Sequence, residues 1–152
     1  MDESVFTHLK PSDFKEIRTF AVQFLYQQDI NQQLVLQNSA LDTFFKLHRV
    51  EKSYHDFLKI FLKEVLNKSS EIDNLISKKC QNWKLSRIAK VDLAILRVAV
   101  GELLVRKDTD MEVIISEAMV LASSFGAENS CSFINGVLDP IAKEIILVTK
   151  NS

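Results

Sequence analysis

The sequence predicts an all-α fold, and three observations lead to this prediction. Apolar residues recur at helical spacing through most of the 152 residues, and no alternating run of apolar and polar residues is long enough to indicate a sheet. Only three glycines and two prolines are present, so few residues interrupt the helical pattern. Hydrophobic residues make up 47% of the chain, which at this length suffices for one domain with a sizeable core.

The pattern divides into about seven helices, which we expect to pack as two small bundles that meet near Ser69, within one domain over residues 1–152. Residues 1–11 are expected to form a flexible arm that ends at Pro11. Residues 31–38 are polar and predict a loop. The apolar stripes of the predicted helices lie, in order, within residues 14–25, 40–47, 54–66, 72–80, 88–104, 114–125 and 133–146.

The helix predicted over residues 88–104 is apolar almost all round, which places it at the centre of the fold. Arg97 interrupts it, and we expect this side chain to pair with an acid or to bond a carbonyl. Gly101 costs about 1 kcal/mol relative to alanine inside a helix. A closely packed neighbour is therefore the expected reason for this glycine.

Residues 113–139 read as a helix, a glycine stop, a short polar loop and a second helix. We expect Gly126 to end the first of these helices in a left-handed conformation. Ser130 or Ser132 is then placed to cap the second helix by accepting a backbone N–H bond. Pro140 lies inside that helix and is expected to kink it, because proline has no N–H to donate.

Composition excludes several classes of function. The formal net charge is −1, so any RNA binding must come from local patches of cations. Two cysteines and a first segment unlike a signal peptide indicate a protein of the reducing cytoplasm. No apolar run approaches the ~20 residues of a membrane span. Glycine-rich phosphate loops, metal-ligand spacings and nucleophile motifs are all absent from the sequence, so we expect no enzyme activity, no cofactor and no metal.

Three blocks of sequence resemble the transcription antitermination factor NusB family. The first, residues 18–29, is similar to an Arg-x-x-Ala-x-Gln-x-Leu-Tyr pattern, and the second, residues 92–103, to an Asp-x-Ala-Ile-Leu-Arg helix that ends in Glu-Leu. The third is the helix–loop–helix stretch of residues 113–139. Each block alone is an ordinary amphipathic helix, but their order and span make the resemblance specific.

The resemblance implies a NusB-like fold of two small helical bundles packed side by side. It implies binding to boxA-type RNA of ribosomal leader transcripts, together with NusE, the small-subunit ribosomal protein, in a complex that joins RNA polymerase and helps it read through terminators. Family members usually open the first helix with an arginine-rich cluster, whereas the matching stretch here contains only Lys15 and Arg18 as cations, with one anion between them.

Two groups of cations are candidates for contact with RNA phosphates. Lys15 and Arg18 are three residues apart on the first helix and are expected to share a face. Residues 78–90 carry five cations and no acid, and Lys78 and Lys79 begin this run. The alternative for both groups is an ordinary solvated helix surface, and the two lysines also suit a helix C-terminus. Trp83, within the run, is expected to be either a core residue or a stacking surface for a base.

The resemblance implies further contacts near the polar loop and on the partner's side. Asn129, Ser130 and Phe133 are candidates for RNA contact, with Phe133 either a core residue or a platform for a base. Tyr26 and Asp92 match family positions near the NusE-binding side. The alternative for this pair is a half-buried amphipathic tyrosine and an ordinary helix charge.

Two hypotheses of function follow from these residues. The first is an RNA-binding antitermination factor that acts with NusE. The second is a diverged interaction module that docks a protein or self-associates without binding RNA, and the thin cluster of cations near the N-terminus favours it. The oligomeric state stays open between a monomer and a homodimer.

Overall fold

A computed structural model describes residues 1–33, 37–80 and 84–151, and all regular secondary structure in these ranges is helical. The prediction of an all-α fold with about seven helices is confirmed. Two short 3-10 turns, Glu3–Phe6 and Leu85–Arg87, accompany the α-helices. The α-helices are α1 Asp13–Ile30, α2 Asn38–Leu47, α3 Lys52–Asn67, α4 Ser69–Lys79, α5 Lys90–Val105, α6 Met111–Phe125 and α7 Ser130–Lys150.

Helix α5 is the centre of the molecule, as its apolar sequence predicts. Every residue from Asp92 to Leu103 is buried. The helix packs against α1 and α3 of the N-terminal group, and also against α4, α6 and α7 of the C-terminal group. The two expected bundles therefore share α5, and their apolar residues form one continuous core.

Helix α1 runs antiparallel to α5, and ion pairs join the two helices near both ends. Arg18, in the first half of α1, contacts Glu102 near the end of α5. Asp29, at the end of α1, contacts Lys90 at the start of α5. We call these two regions of the molecule the Glu102 end and the Lys90 end.

Helices α6 and α7 form an antiparallel pair whose connection lies toward the Lys90 end. A short link over residues 106–110 returns the chain along α5 as α6, so that α6 finishes far from Glu102. Helix α7 then turns back, with the Cys131 thiol 3.5 Å from the carbonyl oxygen of Met119. Farther along α7, Ile145 lines a cleft together with Leu103, which places the second half of α7 at the Glu102 end.

Residues 1–11, for which the sequence predicts a flexible arm, pack against the core in this structure. Phe6 is only 6% exposed, and its ring meets that of Phe57 edge to face at 5.3 Å between centroids. Glu3 contacts Arg106 at 3.0 Å, and the amino group of Met1 lies 3.5 Å from the Val105 carbonyl oxygen. One aromatic anchor and two polar contacts are enough to hold a short segment that has no helical periodicity of its own.

The turn between α6 and α7 differs from the expected glycine cap. Gly126 has φ −89° and ψ −179°, so it is extended and not left-handed. A Cβ at this position would lie 2.6 Å from the Cβ of Ser130, so close approach is what requires the glycine. The Ser130 hydroxyl accepts a hydrogen bond from Ala127 N at 2.8 Å and closes the loop behind it. Neither Ser130 nor Ser132 caps α7, since the Ser132 hydroxyl donates to the Asn129 carbonyl.

The close neighbour predicted for Gly101 is Val65 of α3. A Cβ built on Gly101 would lie 2.7 Å from Cγ2 of Val65 and 3.3 Å from its Cγ1. Valine is stiff about its first side-chain torsion and is buried here, so it cannot turn aside at low cost. The glycine therefore sets how closely α3 and α5 approach.

We expect Gly101→Ala to lower the free energy of unfolding by about 1–2 kcal/mol, because overpacking outweighs the gain in helix propensity. Urea unfolding followed by circular dichroism measures this change. The same substitution made in a Val65→Ala background should cost nothing further, since the space is then free. If Gly101→Ala stabilises the wild-type background, the account of this contact is wrong.

Candidate nucleic-acid interface

Arg18 is not on the surface where RNA could reach it. It is 6% exposed, and its Nε and Nη2 donate to the two carboxylate oxygens of Glu102 at 2.7 and 3.1 Å. Lys15 is exposed, so the expected common face of these two cations does not form. Residues three apart on a helix are separated by about 60° around its axis. This angle is enough to place Arg18 on the buried side of α1 and Lys15 on the solvent side.

The buried charges at the Glu102 end form one connected chain. Arg106 donates to the second oxygen of Glu102 at 2.8 Å and also contacts Glu3. The Arg106 guanidinium lies 4.1 Å from the centroid of the Phe14 ring, which adds a cation–π contact. Because a buried carboxylate is stable only when paired and hydrogen-bonded, these arginines serve the fold and not a ligand.

Lys15 remains available at this end, because its acidic neighbours are engaged elsewhere. The Tyr54 hydroxyl donates to Glu16 at 2.9 Å and lies 3.3 Å from Asp13. Burial raises the pKa of the Tyr54 hydroxyl above its usual range, and the two carboxylates raise it further. Within the described ranges Lys15 makes no ion pair, so its charge faces solvent.

The cationic run of residues 78–90 is partly neutralised. Lys79 contacts Glu144 of α7 at 3.1 Å, and Lys90 contacts Asp29 at 3.2 Å. The remaining cations of the run are exposed and form no ion pair with any residue that the structure describes; these are Lys78, Lys84 and Arg87. The interpretation of Trp83 lies outside the described residues.

The loop before α7 offers two of its three candidate residues to solvent. Asn129 is exposed and Phe133 is half-buried, with its ring packed against the edge of the core. Ser130 is 1% exposed, and its hydroxyl is used by Ala127 N. Contact between the Ser130 side chain and RNA is therefore excluded by burial in this structure.

Tyr26 and Asp92 both lie toward the Lys90 end. Tyr26 is half-buried in the second half of α1, and Asp92 is 8% exposed in the first turn of α5. The Asp92 Oδ1 atom is buried and has no hydrogen-bond partner among the described residues. An unpaired buried carboxylate oxygen is costly, but in this conformation it is as closed to a bound partner as the Ser130 hydroxyl is.

Arg97 behaves as the sequence predicted for a cation inside an apolar helix. Its guanidinium contacts Asp73 of α4 at 2.9 Å and Asp29 of α1 at 3.5 Å. Both acids come from helices that precede α5 in the chain, α1 of the N-terminal group and α4 of the C-terminal group. Arg97 thus links the two helical groups and is not free to bind a ligand.

The candidate residues are divided between the two ends of α5 and do not form one electropositive spot. Lys15 lies at the Glu102 end, whereas Lys84, Arg87 and the loop before α7 lie at the Lys90 end. Helix α5 has 16 residues, so at about 1.5 Å per residue the two ends are roughly 24 Å apart. A ligand that contacts both ends must be extended. The sequence identified residues 78–90 as basic. Only the structure shows that Lys78, Lys84 and Arg87 are the cations of this run that form no ion pair with a described residue.

Other chemistry finds no support in the part of the chain that is described. No group of three histidines, cysteines or acids there could hold a metal ion. The described helices are all too short or too polar to cross a lipid bilayer.

We expect Arg18→Ala to lower the free energy of unfolding by about 3 kcal/mol, because Glu102 then loses one of its two buried partners. Lys15→Ala is the matched control, and its stability should stay within about 0.5 kcal/mol of wild type. Urea unfolding of both variants measures the difference. Equal stability of the two variants would contradict the structural role of Arg18.

Comparison with known proteins gives one consistent answer. A family model described as the NusB family matches residues 15–143. The transcription antitermination protein NusB of Geobacter sp. (strain M21) is 39% identical over 141 residues, which covers 86% of this chain and 94% of that protein. The corresponding protein of Methylacidiphilum infernorum is 35% identical over 130 residues, covering 86% of this chain and 90% of that protein.

Solved structures agree with the sequence relatives. NusB of T. maritima superposes with a TM-score of 0.75 at 32% identity, over 86% of this chain and 90% of that one. A chain from the crystal structure of the antitermination factors NusB and NusE in complex with dsRNA superposes with a TM-score of 0.78 at 22% identity, over 89% of this chain and 99% of that one, which shows a shared fold. This chain belongs to the NusB family.

Proposed function

We propose that this protein is a transcription antitermination factor that binds boxA-type RNA together with NusE and acts on RNA polymerase during elongation. Membership of the NusB family supports this function, since relatives at 35–39% identity carry the name of transcription antitermination protein. A protein of this fold has been crystallised with NusE and dsRNA. The proposed site of action is the nascent transcript, in the cytoplasm.

The observation that carries the proposal is the run of residues 78–90, which has five cations and no acid on a chain of net charge −1. Lys15 at one end and Lys78, Lys84 and Arg87 in the run before α5 have no acidic partner among the described residues. On a nearly neutral surface such cations mark where an anion is favoured locally. Phosphate contacts position an RNA without reading its sequence, so exposed bases must supply the preference.

The proposed contact with NusE lies around Tyr26 and Asp92 at the Lys90 end. Tyr26 supplies a half-buried aromatic side chain, a type of residue that often anchors protein interfaces. Asp92 supplies a carboxylate in the first turn of α5, of which only a small part is exposed. NusE bound around these two residues would sit beside the cations of the Lys90 end and add its own contacts to the same RNA.

The rival hypothesis, a protein-interaction module without RNA binding, was favoured by the thin N-terminal cluster of cations. Because Arg18 is buried, Lys15 is the only exposed cation left of the pair Lys15 and Arg18. The clustering of five cations without an acid in residues 78–90 favours RNA binding instead, because it concentrates positive charge in one short segment. We propose a binding role and no catalytic one.

We expect boxA-type RNA to bind the protein more tightly when NusE is present, and the binding to weaken as salt rises. Charge reversal by Lys15→Glu combined with Arg87→Glu should weaken RNA binding at least tenfold and lower the slope of log affinity against log salt by about 0.7 for each lost phosphate contact. Gel-shift titrations at two salt concentrations, with and without NusE, measure both quantities.

Lys46→Glu combined with Arg49→Glu is the matched control, because it reverses two exposed cations at the end of α2, a helix that is not packed against α5. This variant should keep wild-type affinity and slope. Asp92→Asn should reduce the gain from NusE while leaving binding to RNA alone unchanged. Wild-type protein that shows no preference for boxA-type RNA and no gain from NusE would reject the proposed function.

A further inference from the structure

No contact with the described residues explains why position 136 is a glycine. It lies inside α7, two turns from the start of the helix, and is exposed. A Cβ built on it would meet no atom of the described residues within 4 Å. Gly101 and Gly126, in contrast, are each held against a neighbouring side chain. Alanine in place of Gly136 would strengthen the helix without any clash.

Pro140 affects the backbone of α7 at Gly136, four residues earlier in the helix. Proline has no N–H, so residue 140 cannot donate the helical hydrogen bond to the carbonyl of residue 136. The exposed glycine therefore carries a carbonyl oxygen without its usual donor and has no side chain to cover it. Helix α7 nonetheless continues past this point to Lys150.

This bare backbone lies on the same helix face as two residues already identified. Phe133 and Asn129 precede Gly136 by three and seven residues, and both separations return to one side of a helix. Phe133 is half-buried and Asn129 is exposed. The face thus combines part of an aromatic ring, an amide side chain and an open carbonyl acceptor.

The charges around this face suit a nucleic acid. No acidic residue occurs between Ser130 and Leu138, and Asp139, which follows, is paired with Lys143 at 2.9 Å. Glu128, which precedes Asn129, is an exposed acid at the edge of this face. The loop that begins α7 lies toward the Lys90 end, where Lys84 and Arg87 are exposed and unpaired among the described residues. Cations that position phosphates and a ring that stacks on a base together fit single-stranded RNA.

We infer that Gly136 is an RNA-contact residue, where a nucleotide packs directly against the backbone of α7 beside Phe133 and donates a hydrogen bond to the Gly136 carbonyl. Glycine permits a ligand to approach a backbone more closely than any side chain does. An exocyclic amine of a base or a ribose hydroxyl is a suitable donor. This inference rests on the proposed RNA-binding function and adds one residue to the RNA-contact surface.

The test is Gly136→Ala, measured for both stability and RNA binding. The added methyl group should raise the midpoint of thermal unfolding by about 3 °C through helix propensity. It should weaken the binding of a boxA-type RNA oligonucleotide about tenfold by keeping the nucleotide off the backbone. A loss of binding in a more stable protein cannot be attributed to misfolding.

Pro140→Ala tests the carbonyl separately, because it restores the helical donor to residue 136 without covering the glycine. It should also stabilise α7 and weaken RNA binding, by a smaller factor than Gly136→Ala. Val148→Ala is the control, since Val148 is 66% exposed near the far end of α7 and its replacement likewise favours the helix. Its RNA affinity should equal that of wild type.

Unchanged RNA affinity in Gly136→Ala would overturn the inference, provided that wild-type protein binds the oligonucleotide. Loss of NusE binding with RNA affinity unchanged would also overturn it, in favour of a protein contact at this face. Failure of wild-type protein to bind RNA is a different result, since it removes the proposed function itself and would be seen before any variant is compared.

Discussion

The buried carboxylate of Glu102 is the group around which the N-terminal half of this molecule is arranged. It accepts bonds from Arg18 of α1 and from Arg106, which follows α5, and Arg106 in turn contacts Glu3. Two segments distant in sequence, α1 and the N-terminal residues around Glu3, are thereby fixed to one end of the central helix. Burial makes these charges mutually dependent, because removal of one partner leaves another charge unpaired in a medium that solvates it poorly. Arg97, with Asp29 and Asp73, makes a second such junction farther along α5.

These junctions decide which cations are left for a ligand. Arg18, Arg97 and Arg106 are paired within the fold and are not available to a ligand. Among the candidate RNA-contact cations, Lys15 is exposed at the Glu102 end and Lys84 and Arg87 are exposed at the Lys90 end. These candidates therefore do not form one basic patch, because roughly the length of α5, about 24 Å at 1.5 Å per residue, separates them. An extended single strand can contact both, whereas a small anion can contact only one.

The helical periodicity was enough to predict the fold class, the central place of α5 and the need for a close neighbour at Gly101. It also predicted that Arg97 would find an acid, since an apolar helix cannot leave such a charge unpaired. Periodicity did not predict the position of Arg18. A cation near the edge of an amphipathic face can turn inward when a buried acid from a distant segment, here Glu102, lies close enough to pair with it. The sequence carries no signal for that pairing, because 84 residues separate Arg18 from Glu102.

The loop before α7 also depends on a contact that helical periodicity does not reveal. Gly126 was expected to adopt a left-handed conformation, yet the side chain of Ser130 is what occupies the space of its missing Cβ. The N-terminal segment lacks periodicity and was expected to be flexible, but Phe6 finds a place beside Phe57. In each case the deciding contact is tertiary, and short-range patterns do not contain it. The candidate site could be predicted only as a set of residue types, and which members remain unpaired depended on the packing.

The most direct test of the two-ended surface is an NMR titration of labelled protein with a boxA-type RNA oligonucleotide. We predict that backbone amides around Lys15 and amides of residues 84–87 and 129–137 shift together, while those of α2 stay unchanged. Shifts confined to α2 and α3, or to one end of α5 alone, would contradict an RNA that runs between the two ends.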